Sequence, residues 1–141
     1  MHKILFATLV ALIIGPAWAN ELPECGLDAG AEFGAPVKVL QALAINENNI
    51  PPPLPHQLPE HGPMGLGEFT INYVADNIDS SMEEIKTNPC ENYRAAAWFL
   101  MNEAGGNELP IWDAVNNYYY GGRTRSSYPM TDAARNIFDQ M

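Results

Sequence analysis

Six of the chain's 12 prolines fall between Ile50 and Pro63, at positions 51, 52, 53, 55, 59 and 63. Proline lacks the amide hydrogen that a helix interior or a central strand must donate, so this stretch is expected to be a stiff, extended loop. The packed elements must therefore come from the segments before and after it.

The first nineteen residues read as an export signal. Met1-His-Lys3 is a short basic start, Ile4 to Ile14 is an apolar run too short to span a bilayer, and Ala17-Trp-Ala19 has the small-x-small form of a cleavage site. The expected organisation is a signal peptide over 1–19 and a single domain over 20–141, periplasmic, with no membrane span after cleavage. Outside the cytoplasm no reader of proline-rich ligands is expected, so the proline stretch is taken as a loop of the domain itself. Export also decides how to read Cys25 and Cys90, the two cysteines. In an oxidising compartment a pair in a small domain is expected to form a disulfide. No CxxC and no His/Cys cluster at ligand spacing is present, so no metal and no cofactor is expected. His56 and His61 flank the acidic Glu60, but histidines in a proline-rich loop usually face solvent. The formal net charge of −10 disfavours nucleic acid as a partner.

Helical signals dominate. A short helix is expected from Cys25 to Phe33, closed by Gly34, with Pro36 opening the next at its first turn. After the turn-rich Gly62 to Gly67, a pattern from Phe69 to Ile78 aligns Phe69, Tyr73 and Asn77 or Ile78. Asn88 is a good N-cap with Pro89 behind it and Glu91 as a capping-box acid. Tyr93, Ala97, Leu100, Met101 and Ala104 form the buried stripe of that helix, and Gly105-Gly106 stops it. Pro110 opens a helix through Trp112, Val115 and Tyr119 that ends at Gly121-Gly122. A last helix starts from a Thr131 cap and runs through Ala134, Ile137 and Phe138. Strand signals are nearly absent, so the class is mainly α.

Against this background Glu47 stands out. It ends the apolar stretch beginning at Val37, and at helical period it falls on the stripe of Leu40, Leu43 and Ala44 that faces the core. A carboxyl held out of water tends to keep its proton near neutral pH, which is what general acid catalysis on a glycosidic oxygen requires.

Five segments in order resemble the lysozyme-like lytic transglycosylases, in particular the small exported type that accompanies bacterial secretion and conjugation machines. They are Phe33-Gly34, Leu43-Ala-Ile-Asn-Glu47, Gly65-Leu-Gly-Glu-Phe69, Asn88-Pro-Cys-Glu-Asn92 with Ala95-Ala-Ala97, and Trp112-Asp-Ala-Val-Asn-Asn-Tyr-Tyr-Tyr-Gly121. The resemblance covers nearly all of residues 20–141. It implies a lysozyme-like single domain that cleaves the MurNAc-GlcNAc bonds of peptidoglycan and forms a 1,6-anhydro product without cofactor. It assigns Glu47 as general acid and base, and Gly65, Leu66, Glu68, Tyr118 and Tyr119 as substrate-contacting positions. Peptidoglycan glycan strands, and secretion or conjugation apparatus proteins, are the implied partners.

The chain departs from the family at three of these places. Asn48 replaces Ser after the acid, Gly67-Glu68 replaces Met-Gln, and Tyr119 replaces Asn after the tyrosine. An ionised Glu68 only accepts hydrogen bonds where a Gln amide also donates. Two other readings stay open from the sequence: a non-cutting protein of the same fold that binds glycan or apparatus, and a muramidase-type hydrolase using Glu47 with Glu68. The run Tyr118 to Tyr120, with Arg123 and Arg125, offers stacking surface for sugar rings and positive charge for carboxylates.

Overall fold

Punctuation by Gly and Pro sets the first two helices. A computed structural model describes residues 21–51 and 53–141, and the signal peptide expected over 1–19 lies outside the described residues. Helix α1, Glu24–Phe33, ends at Gly34, whose φ of 72° is the left-handed conformation that closes helices. Extended Pro36 then starts α2, Val37–Asn48. The proline stretch follows, with a turn in which Gln57 Oε1 accepts from the Leu54 amide at 2.9 Å. Its end pairs with the residues after Gly65: β1, Glu60–His61, runs antiparallel to β2, Leu66–Gly67, with Glu60 opposite Gly67. Helices α3 (Glu68–Ala75), α4 (Met82–Thr87), α5 (Pro89–Trp98), α6 (Ile111–Tyr120) and α7 (Pro129–Gln140) complete the described chain. The fold is mainly helical, as expected, with seven α-helices among the described residues.

Helix α5 is the centre. It packs against α1, α3 and α4 and runs on as a π-helical turn, Phe99–Glu103, that meets α6, while α2 lies on α1 and α7. Its expected stripe is buried throughout, from Tyr93 to Ala104, and meets Leu40 and Leu43 of α2, Ile71 and Val74 of α3, and Val115 of α6 in one core. Arg94 ties α5 to α1 by two 2.8 Å bonds to Glu32. The expected disulfide is also there: Cys25 and Cys90 join α1 to α5 across 65 residues of sequence. Closing a loop of that length stabilises a domain by about 4 kcal/mol on the chain-entropy model.

Four local expectations are corrected. In α3 the buried face is Ile71, Val74, Ala75 and then Ile78, while Phe69 is 87% exposed. Both faces repeat at helical spacing, and the aliphatic one buries no polar atom. Helix α4 was not expected, although Ser81 caps it by accepting from the Glu84 amide at 3.1 Å. Glu91 does not close a capping box but pairs with Arg94 at 3.0 Å. Thr131 is a buried residue inside α7, which begins two residues earlier with Pro129 in the first turn.

Candidate active site

The hairpin is the part of the molecule that meets Glu47. Two glycines and one buried amide shape it. Gly62 has a φ of 72°, and a Cβ there would overlap the Asn92 side chain; Gly65 has a φ of 58°, and a Cβ there would overlap the Glu47 carboxyl. Both positions therefore need glycine for conformation and for space. Asn92 on α5 is fully buried. Its Oδ1 accepts from the Met64 amide at 2.9 Å, and its Nδ2 donates to the carbonyls of His61 at 3.0 Å and Ile85 at 3.1 Å. One side chain thus holds the hairpin on both sides of its turn and fastens it to the segment leading into α5.

Glu47, on the last turn of α2, is half-buried beneath this hairpin. Its carboxyl and that of Glu60 on β1 line the same two cavities. Burial, then the charge of Glu60 and hydrogen bonding with it, push Glu47 from an ordinary 4.5 up to about 8. Each of these causes penalises the ionised form, so Glu47 carries a proton at neutral pH. Two cavities meet at the pair. The larger, about 460 Å³, runs past Leu22, Ile45, Pro51 and Tyr93, and the smaller, about 170 Å³, lies against Gly65, Leu66, Phe99, Tyr118 and Tyr119; Glu47 and Glu60 line both. The larger volume is in the range of small-ligand sites. No Lys, Arg or His lines either cavity among the described residues, so an uncharged ligand is favoured over an anionic one.

Helix α6 contributes the aromatic wall. The Tyr118 hydroxyl is enclosed and has no hydrogen-bond partner among the described residues. Burial, with the neighbouring Tyr119, Glu47 and Glu60, holds that phenol well above its usual range. The Tyr119 hydroxyl accepts from Asn46 Nδ2 at 3.0 Å, and Asn46 also donates to the Met130 carbonyl at 3.2 Å. That leaves the Tyr119 proton free to be donated elsewhere.

Of the positions assigned from the sequence, Glu47, Gly65, Leu66, Tyr118 and Tyr119 come together at the small cavity. Glu68 does not line either cavity. It bonds to Lys86 Nζ at 2.6 Å, with His61 Nε2 at 3.6 Å, and Lys86 holds its carboxyl below the usual range. Asn48 is exposed at the rim of the larger cleft. Arg125 lies over the Tyr120 ring at 4.7 Å, on an exposed loop with Arg123. No group of three or more His, Cys, Asp or Glu at metal-holding positions occurs among the described residues.

Sequence reasoning missed Glu60, Asn46 and the role of Asn92. Asn46 had a usable signal, since it lies three residues after Leu43 on the same buried face. No protein-family model, curated protein or solved structure matches this chain.

Proposed function

We propose that the chain is a lytic transglycosylase of lysozyme-like fold, exported to the periplasm, that cuts peptidoglycan glycan strands without cofactor and opens the wall locally for an envelope-spanning apparatus. One observation carries the reading: a protonated carboxyl, Glu47, sits at the junction of two cavities, one with amide and aliphatic side chains and the other with an aromatic wall, and neither lined by a cationic side chain among the described residues. The resemblance of five ordered segments points the same way.

Glu47 protonates the oxygen joining N-acetylmuramic acid to N-acetylglucosamine as the C1–O bond breaks. The resulting carboxylate takes the proton of the C6 hydroxyl while that oxygen closes onto C1, so no water is consumed. One residue serves both steps because giving up the proton creates the base that the second step needs. Tyr118 and Tyr119 stand beside the pair as hydroxyl groups able to orient the sugar or the Glu47 carboxylate.

The hydrolase reading with Glu68 lacks support, since Glu68 is engaged by Lys86 and lines neither cavity. Product chemistry tests the proposal. Mature protein incubated with peptidoglycan should release anhydro-muropeptides, read by mass spectrometry. Reducing ends would select a hydrolase, and binding to sacculi with no released fragments at any pH would select a non-cutting glycan-binding protein.

A further inference from the structure

Glu60 has no place in a mechanism built on one carboxyl, yet the fold directs it to the reacting side chain. It comes from the end of the proline stretch, and its pairing opposite Gly67 sets it in the hairpin whose Gly65 backbone abuts the Glu47 carboxyl. Asn92 fastens that hairpin to α5 by two bonds, to the Met64 amide and the His61 carbonyl, and donates a third to Ile85 on α4. Glu47 and Glu60 line the same two cavities.

We propose, resting on the transglycosylase reading, that Glu60 is the positioning residue for the acid: the two carboxyls hold one proton between them on a single side of the scissile bond, and Glu47 gives and retakes it.

Position decides against the obvious rival role. A hydrolase that uses two carboxyls sets them on opposite sides of the glycosidic bond, with the sugar between. Glu60 instead lines the same two cavities as Glu47, on the hairpin whose Gly65 backbone abuts the Glu47 carboxyl, and is assigned to the acid's own side. Its effect is exerted through Glu47. Before the reaction, the neighbouring charge keeps the proton on the pair. After the proton passes to the leaving oxygen, two ionised carboxyls face each other in a partly desolvated site. Their repulsion makes Glu47 a stronger base towards the C6 hydroxyl, and the proton that moves from O6 to Glu47 restores the starting state. The bond from C1 to the leaving oxygen is replaced by one from C1 to O6, with no net gain or loss of protons by the enzyme. The other groups facing the pair are the phenols of Tyr118 and Tyr119 from α6, neutral at working pH, and Glu21, which lines the larger cleft. Lys86 is bonded to Glu68, and His61 Nε2 lies 3.6 Å from the same carboxyl.

Glu60→Gln tests this, and Glu60 is exposed enough for the change to leave folding intact, which a thermal melt checks. Titration of the Glu47 carboxyl by carbon-13 NMR should show its midpoint falling by one pH unit or more in the variant. The alkaline limb of kcat/KM against pH should move the same way, with about a threefold loss at pH 7.5 for a fall of one unit, and Glu60→Asp should restore part of it. An unmoved midpoint would overturn the proposal even if the parent makes anhydro products. A shifted midpoint in a protein that makes none would leave the pair standing and sink the transglycosylase reading instead. Reducing-end products, or a Glu60→Gln variant as inactive as one lacking the acid, would make Glu60 a reacting group and overturn the positioning role.

Discussion

Glu47→Gln is expected to lower release of anhydro-muropeptides by about a thousandfold or more, as loss of a general acid and base does, and at the same time to stabilise the protein in mild alkali. The two effects have one cause. The folded protein holds a proton on Glu47 up to about pH 8, whereas the unfolded chain releases it near 4.5. Between these values the folded state binds more protons, so stability is full below about 4.5 and declines as pH rises to about 8. Glutamine has the same shape without the titration and escapes the decline. Because part of the Glu47 carboxyl is screened by water, we take the gain above pH 8 as about 2 kcal/mol. Urea denaturation of parent and variant from pH 4 to 9 reads it as a gap that is smallest in acid and widens towards pH 8. A gap that stays constant, or a variant less stable than the parent in alkali, would contradict the assignment of a desolvated acid.

Asn92→Leu is expected to have the largest cost to stability, about 3–5 kcal/mol. Leucine keeps the branching at Cγ but leaves the Met64 amide and the carbonyls of His61 and Ile85 buried without partners. It also presses on Gly62, where the backbone already lies against the Asn92 amide. The effect should reach the site. With the hairpin loosened, Glu60 and the Gly65 backbone leave the Glu47 carboxyl, and product release should fall more than tenfold at temperatures where the variant is still folded. Denaturant midpoints and activity at low temperature separate the two losses. A change below 1 kcal/mol with unchanged activity would remove Asn92 as the fastening of the hairpin.

How far these features could be read in advance follows from the range of the interactions behind them. Helix ends at Gly34, Asn88-Pro89 and Gly121 depend on a few adjacent residues and were visible in sequence, as was the disulfide once residues 1–19 were read as an export signal. Helix α4 carried the same kind of signal in Ser81-Met-Glu-Glu84, but its six residues are too few to show a periodic face. The Phe69 face was chosen over Ile71 and Val74 because period alone ranks both, and only the neighbours in space decide. Within the site, Glu47 stood out as a charge on an apolar stripe. Glu60 did not, because a carboxylate amid prolines has no periodic context and looks solvated. Its pairing depends on the turn at Gly62 and Gly65, and on Asn92, which lies 31 positions from His61. Two-residue strands leave too little alternation for a hairpin to be recognised.

The most direct measurement is the titration of Glu47 in the unmodified protein, followed by carbon-13 NMR of its carboxyl with Glu47→Gln used to assign the signal. A midpoint near 8 is predicted. A midpoint between 4 and 5, the range of a carboxylate in open water, would contradict a protonated acid between the two cavities.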